Sequence, residues 1–360
     1  MQEQDAKKPP SRKLRKLAIA LTASIAGISI AGATAAVIAY NALFERFERP
    51  DYDLYPGLYD YKKIENVLPR EEFKIKSGDE DLQAYFYPSQ ASYGLVVLAH
   101  GFHAGADDYL PLIEAMVNEG YSVLTYDVTG TYDSSGDSVV GMCQSLIDLN
   151  RVLNFVSENA RYSSLPLYLV GHSWGGYAVS SVLELHPEVK ACVCIAPMCS
   201  APDIMVQKAS EYVGGLANTA KPVYDVYQNY LFGDFTKYNG IRGINSTSIP
   251  ILIAQGLNDD VIRHNVQSIT ARKDEITNPN VTYYYREGLQ GTHTGIWHSL
   301  ESCNYQLEID ERLKDVESKM GRQLTAEEKV EFYKSVDHRL YSEVNPELVK
   351  LMIETFNKNK

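Results

Sequence analysis

Leu167-Tyr168-Leu169-Val170-Gly171-His172-Ser173-Trp174-Gly175-Gly176 is the stretch on which the reading of this chain turns. A short apolar run leads directly into a Gly-x-Ser-x-Gly turn. A helical pattern, 177–185, follows it. A strand that turns this abruptly into a helix leaves little room for side chains beside the central residue, so glycines flank it. The turn lifts the Ser173 hydroxyl above the sheet, at the positive end of the next helix. The bare pattern arises by chance in about one chain in ten of this length. The strand before it and the helix after it make it far more specific.

Other apolar runs surround this one. Glu71–Ser77 and Asp81–Tyr87 alternate on either side of Gly78-Asp79-Glu80, as a hairpin does. The runs 95–99, 121–126, 167–170, 189–196, 251–254 and 281–285 are short and continuous, the signature of strands buried on both faces. Helical patterns at 107–118, 139–156 and 177–185 separate several of them. This alternation predicts an α/β fold with a mostly parallel sheet. Residues 198–249 interrupt it without a strand of their own. So long an excursion is usually functional, and a helical cap is expected there. Residues 301–344 form a second, highly charged, helix-prone insertion. Asn345-Pro346-Glu347 then opens a closing helix.

The N-terminal end has a different character. Residues 1–16 carry Lys7, Lys8, Arg12, Lys13, Arg15 and Lys16 against only Glu3 and Asp5. Residues 17–44 contain no charge and are long enough to cross a bilayer. Ala33-Thr34-Ala35 offers a cleavage site, so a signal peptide is the alternative. The apolar run continues past it to Phe44, which favours an uncleaved transmembrane helix. Positive residues stay in the cytoplasm, so the main body is expected outside the membrane. Residues 45–70, with Pro50, Pro56, Gly57 and Pro69, read as a juxtamembrane linker. Residues 71–360 form the main domain.

The net charge is −12 although the first sixteen residues are basic, so the body is strongly acidic. That excludes phosphate neutralisation, and with it a nucleic-acid partner. Five cysteines without a CxxC pair do not form a disulfide framework. HExxH, P-loop and zinc-spaced Cys/His patterns are absent, so neither a metal nor a cofactor is expected.

The chain resembles the α/β-hydrolase superfamily, and within it the serine aminopeptidase S33 and lysophospholipase-like hydrolases. The resemblance rests on Val96-Val97-Leu98-Ala99-His100-Gly101-Phe102, Tyr126-Asp127-Val128-Thr129-Gly130 and Gly171-His172-Ser173-Trp174-Gly175-Gly176. It covers roughly residues 70–357. It implies an eight-stranded sheet with helices on both faces and a Ser-His-Asp triad. Thr131–Gly136 departs from the Gly-x-Gly-x-Ser stretch common in those proteins.

A serine hydroxyl needs a histidine base, and the histidine an orienting carboxylate. The family order of serine, acid, histidine puts the acid at Asp259, with Asp260 next to it and Asp203 as a further candidate. It puts the base at His293, with His298 as its rival. Backbone N–H groups of Phe102 and Trp174 are expected to form the oxyanion hole. Their side chains are possible pocket walls. His100 is expected to support the oxyanion loop, and the remaining histidines to lie at the surface or at helix ends. These expectations imply ester hydrolysis, with a peptidase or a non-catalytic binding protein as rivals.

The anchor is open to direct test. N-terminal sequencing of the mature membrane-fraction protein should find residues 17–44 still attached. A start near Ala36 would instead mean a cleaved signal and a released enzyme.

Overall fold

The computed structural model describes residues 34, 37, 38, 40–55 and 61–358. The chain divides into two compact units, Met1–Glu45 and Arg46–Lys360. The expected span at 17–44 falls largely outside the described residues. Among those described, no helix is long and apolar enough to cross a membrane.

The second unit is built on eight strands: β1 (Glu71–Ser77), β2 (Glu80–Tyr87), β3 (Leu95–Ala99), β4 (Ser122–Tyr126), β5 (Leu167–His172), β6 (Val189–Ile195), β7 (Ile251–Gly256) and β8 (Val281–Arg286). They form one sheet in the order β1-β2-β4-β3-β5-β6-β7-β8. β2 runs antiparallel to β1 and β4, and every other neighbouring pair is parallel. The inner strands β3, β4, β5 and β7 are buried along their whole length, which is why they read as unbroken apolar runs. The edge strand β1 is largely exposed, with Ile75 and Ser77 as its buried positions.

The main helices are α1 (Leu110–Asn118), α2 (Gln144–Glu158), α3 (Trp174–Ser181), α4 (Ala201–Val213), α5 (Ala217–Phe232), α6 (Gly240–Asn245), α7 (Leu300–Met320), α8 (Ala326–Tyr333) and α9 (Pro346–Asn357). α1 and α9 share one core with Val96, Leu98, Val123, Val170, Ala191 and Val193. Cys192 alternates with the last two and therefore points the other way. Its thiol donates to Val179 O of α3 at 3.7 Å, so α3 covers the opposite face. All five cysteines are free and buried.

Element starts differ from the sequence pattern in three places. The helix expected from Asp107 opens as a 3-10 turn, Ala106–Tyr109. The helix expected from Val139 begins only at Gln144, because Val140 has φ +62°, which no α-helix accepts. α3 starts at Trp174, three residues earlier than the apolar periodicity suggested. The excursion at 198–249 holds α4, α5 and α6, and that at 301–344 holds α7 and α8. Ile309, Tyr333 and Val336 give the second excursion a small core of its own.

Residues 46–55 and 61–70, within the expected linker at 45–70, are described. They belong to the second unit and bind its surface. Arg49 reaches Asp107 at 2.6 Å and Asp133 at 2.8 Å, and Arg70 reaches Asp107 at 2.5 Å. The Asp107–Arg70 pair is nearly sealed from water, its side chains 4% and 7% exposed. Proline and acidic residues suggested a spacer, but the partners of these arginines lie far along the chain.

Candidate active site

The parallel strands carry the site at their C-terminal ends, the usual place in an open α/β sheet. β5 ends at His172, and the chain reverses into α3 through Ser173 at φ +56°, ψ −110°. A non-glycine residue in the left-handed region costs roughly 1–2 kcal/mol, so the surroundings must hold it there. The Ser173 N–H donates to Ile195 O at 2.8 Å. A Cβ on Gly171 would stand 2.3 Å from Gly175 O, and one on Gly175 would stand 2.0 Å from Ala99 O. Only glycine fits at either place. The hairpin of strand and helix is that close.

His293, in the loop after β8, points at this serine. Its Nε2 lies 3.0 Å from Ser173 Oγ, and its Nδ1 lies 2.7 Å from Asp259 Oδ2. Asp259, in the loop after β7, is buried and held on all sides. Its Oδ1 accepts the N–H groups of Val261 and Ile262 at 2.9 and 2.8 Å, and Gln255 Nε2 approaches Oδ2 at 3.3 Å. The three side chains predicted from chain order therefore meet in one line.

The rivals lie elsewhere. Asp260 is exposed, and Asp203 sits in the first turn of α4. His298 is buried with its Nδ1 3.4 Å from Glu343 O, and burial pulls its pKa down to about 4.

Two residues that the sequence did not single out tie the loops together. Gly101 N–H donates to the Tyr109 hydroxyl at 2.9 Å. That hydroxyl is 2.8 Å from His172 Nδ1, and His172 Nε2 is 3.1 Å from His293 O. A carbonyl can only accept, so Nε2 carries the proton and Nδ1 accepts from Tyr109. Burial, and next the neighbouring His293, hold the His172 pKa down to about 3, which keeps this neutral tautomer. His172 is thus an interior strut rather than a surface residue, and His186 is likewise buried. Their positions in the chain gave no sign of it, since the bonds are set by tertiary approach.

The loop after β3 carries Phe102. A Cβ on Gly101 would lie 3.6 Å from Ser173 Cβ, so this loop flanks the serine. His100 braces it: Nδ1 donates to Gly101 O at 2.8 Å and Nε2 accepts from Val128 N–H at 3.0 Å. Burial lowers its pKa to about 4. Trp174 is the first residue of α3, where backbone N–H groups have no intrahelical acceptor. Its side chain is no pocket wall. It is fully buried and donates from Nε1 to Met142 O at 2.6 Å.

A cavity of about 420 Å³ opens on Ser173 and His293. Phe102, Tyr109 and Trp297 line it from the body, Tyr55 from the segment before β1, and Gln306 and Tyr341 from the second excursion. Among the described residues, none of its lining comes from 198–249. No group of three or more His, Cys, Asp or Glu residues placed to hold a metal occurs among the described residues.

Tyr109→Phe should break the strut from Gly101 to His293 while keeping the ring. It leaves the Gly101 N–H and His172 Nδ1 without partners, a cost of about 1–3 kcal/mol. We expect a lower melting temperature together with about a tenfold loss of kcat on p-nitrophenyl butyrate. Unchanged kcat would show that the strut does not position His293.

Residues 90–241 match the family model described as serine aminopeptidase, S33. A cutinase of Thermobifida fusca is 24% identical over 226 residues, covering 60% of this chain and 72% of that protein. A bis(hydroxyethyl) terephthalate hydrolase of Streptomyces coelicolor is 24% identical over 232 residues, covering 61% and 73%. Among solved structures, an esterase of Pyrococcus furiosus superposes with a TM-score of 0.52 at 19% identity, over 76% of this chain and 98% of that one. The chain has the α/β-hydrolase fold and is similar over residues 90–241 to the serine aminopeptidase S33 family.

Proposed function

We propose that this hydrolase cleaves carboxylic esters through an acyl-enzyme, with Ser173, His293 and Asp259 as its triad. The observation that carries the reading is the alignment of Ser173 Oγ, His293 and Asp259 at 3.0 and 2.7 Å, beside a cavity that can admit a small acyl group. His293 Nε2 takes the Ser173 proton as Oγ attacks the carbonyl carbon. The N–H groups of Phe102 and Trp174 receive the negative charge that develops on the former carbonyl oxygen. The tetrahedral intermediate expels the alkoxide as His293 returns the proton to it. A water molecule, deprotonated by His293, then attacks the acyl-serine; the bond to Ser173 Oγ breaks as His293 returns the proton to it, and the acid is released. Asp259 fixes the ring with Nδ1–H toward it and offsets the positive charge of the imidazolium.

The esterase reading is favoured over a peptidase because the similar proteins described above are a cutinase, a terephthalate ester hydrolase and an esterase. The S33 description keeps an aminopeptidase as the second reading. A non-catalytic binding protein has no need of the aligned histidine. We further propose that residues 17–44 anchor the enzyme, with residues 1–16 in the cytoplasm and the catalytic domain outside the membrane. The motivation is the basic cluster before the apolar stretch; after it, Arg46 and Arg49 are matched by Glu45 and Glu48.

Ser173→Ala and His293→Ala should each cost on the order of 10⁴-fold or more in kcat on p-nitrophenyl esters. His298→Ala should be mild by comparison. Faster turnover of aminoacyl p-nitroanilides than of the esters would favour the peptidase. Retention of more than a tenth of wild-type activity in Ser173→Ala would sink both readings.

A further inference from the structure

The strap that begins at Arg46 crosses the body beside the Phe102 loop. Phe47 pairs with the stretch after β4 as one would in a parallel sheet: its N–H donates to Gly130 O and its carbonyl accepts from Tyr132 N–H, both at 2.9 Å. Arg46 fastens the same turn, donating to Ser134 O and Gly136 O at 2.9 and 3.0 Å. The Phe47 backbone is therefore fixed, and its ring is delivered to a defined place.

That place is the Phe102-His103 turn. The Phe47 ring stacks on the His103 imidazole at 4.1 Å between centroids with 23° between planes. It meets Phe102 edge-on at 5.1 Å, and Phe102 in turn meets Trp174 edge-on at 5.4 Å. His103 has φ +61°, a left-handed conformation that a non-glycine residue adopts at a cost of about 1–2 kcal/mol. Strain of this kind persists only where the surroundings over-determine it. Stacked aromatic contacts are worth about 0.5–1.5 kcal/mol each beyond the area they bury, enough to offset it.

We propose that Phe47 is a positioning residue: by stacking on His103 it holds the strained turn that aims the Phe102 N–H at the oxyanion. The inference rests on the acyl-transfer reading above. The residue acts through its neighbours and does not touch the reacting atoms. It places the control of transition-state stabilisation in the segment that joins residues 17–44 to the hydrolase body. A donor displaced by a fraction of an ångström still lets substrate bind, because the ground-state carbonyl asks little of it. The loss therefore falls on kcat and not on KM.

The test uses full-length protein and p-nitrophenyl butyrate. Phe47→Ala should lower kcat about tenfold while KM stays within about twofold, and Phe47→Tyr should restore kcat. His103→Gly placed in the Phe47→Ala background should recover part of the loss, since glycine holds a positive φ without help. If Phe47→Ala does not fold, Phe47→Leu keeps the apolar contact without the stack and should lower kcat about threefold or more. Wild-type kcat in Phe47→Ala, or in Phe47→Leu if that is the variant that folds, would overturn the inference. So would a loss that appears in KM alone. A folded wild-type protein that turns over no ester would instead sink the acyl-transfer reading itself.

Discussion

Everything at this site depends on how closely the backbone packs where β5 turns into α3. Gly175 lies against Ala99 and Gly171 against Gly175, with no space for a methyl group at either position. That closeness forces Ser173 to a positive φ and presents its hydroxyl at the end of the sheet. It also brings the loop after β3 to the same point, because the N-terminal turn of α3 presses on the end of β3. One steric constraint thus fixes the nucleophile candidate and the two loops that flank it.

The remaining groups come from separate loops and are kept in register by polar contacts. Asp259 is locked by the N–H groups of Val261 and Ile262 and by Gln255. His293 is held at its ring by Asp259 and at its carbonyl by His172. Tyr109 and His172 link the Phe102 loop to the His293 loop through buried neutral groups. A charged His172 would have two N–H donors, and Tyr109 could no longer donate to it without yielding its place. The low pKa that burial imposes is what makes this strut stable near neutral pH.

The strands and the turn at Ser173 were legible from local signals; the strand order and the places of Asp259 and His293 came from the family resemblance. Apolar runs marked the buried strands, glycine spacing marked the turn at Ser173, and the resembling family's order of serine, acid and histidine pointed to Asp259 and His293. The struts were not legible. Tyr109, His172 and Gln255 owe their roles to partners brought near by the fold, and nothing about their neighbours in sequence reveals a partner. The contacts of the strap were hidden for a related reason. Its prolines, tyrosines and acidic residues have the composition of a spacer, whereas Arg49 and Arg70 are drawn onto the body by Asp107 and Asp133. The Trp174 side chain was also unreadable, since a residue beside a nucleophile can face the pocket or the core, and here it faces the core.

The central claim is that Ser173 is an activated nucleophile and not merely a serine in a tight turn. Labelling the folded protein with a fluorophosphonate and mapping the adduct by peptide mass spectrometry tests it most directly. The account predicts one phosphonyl group on Ser173, with labelling strongly slowed in His293→Ala, in which the base is lost. An unlabelled Ser173 in folded wild-type protein, or an adduct on another residue, would contradict it.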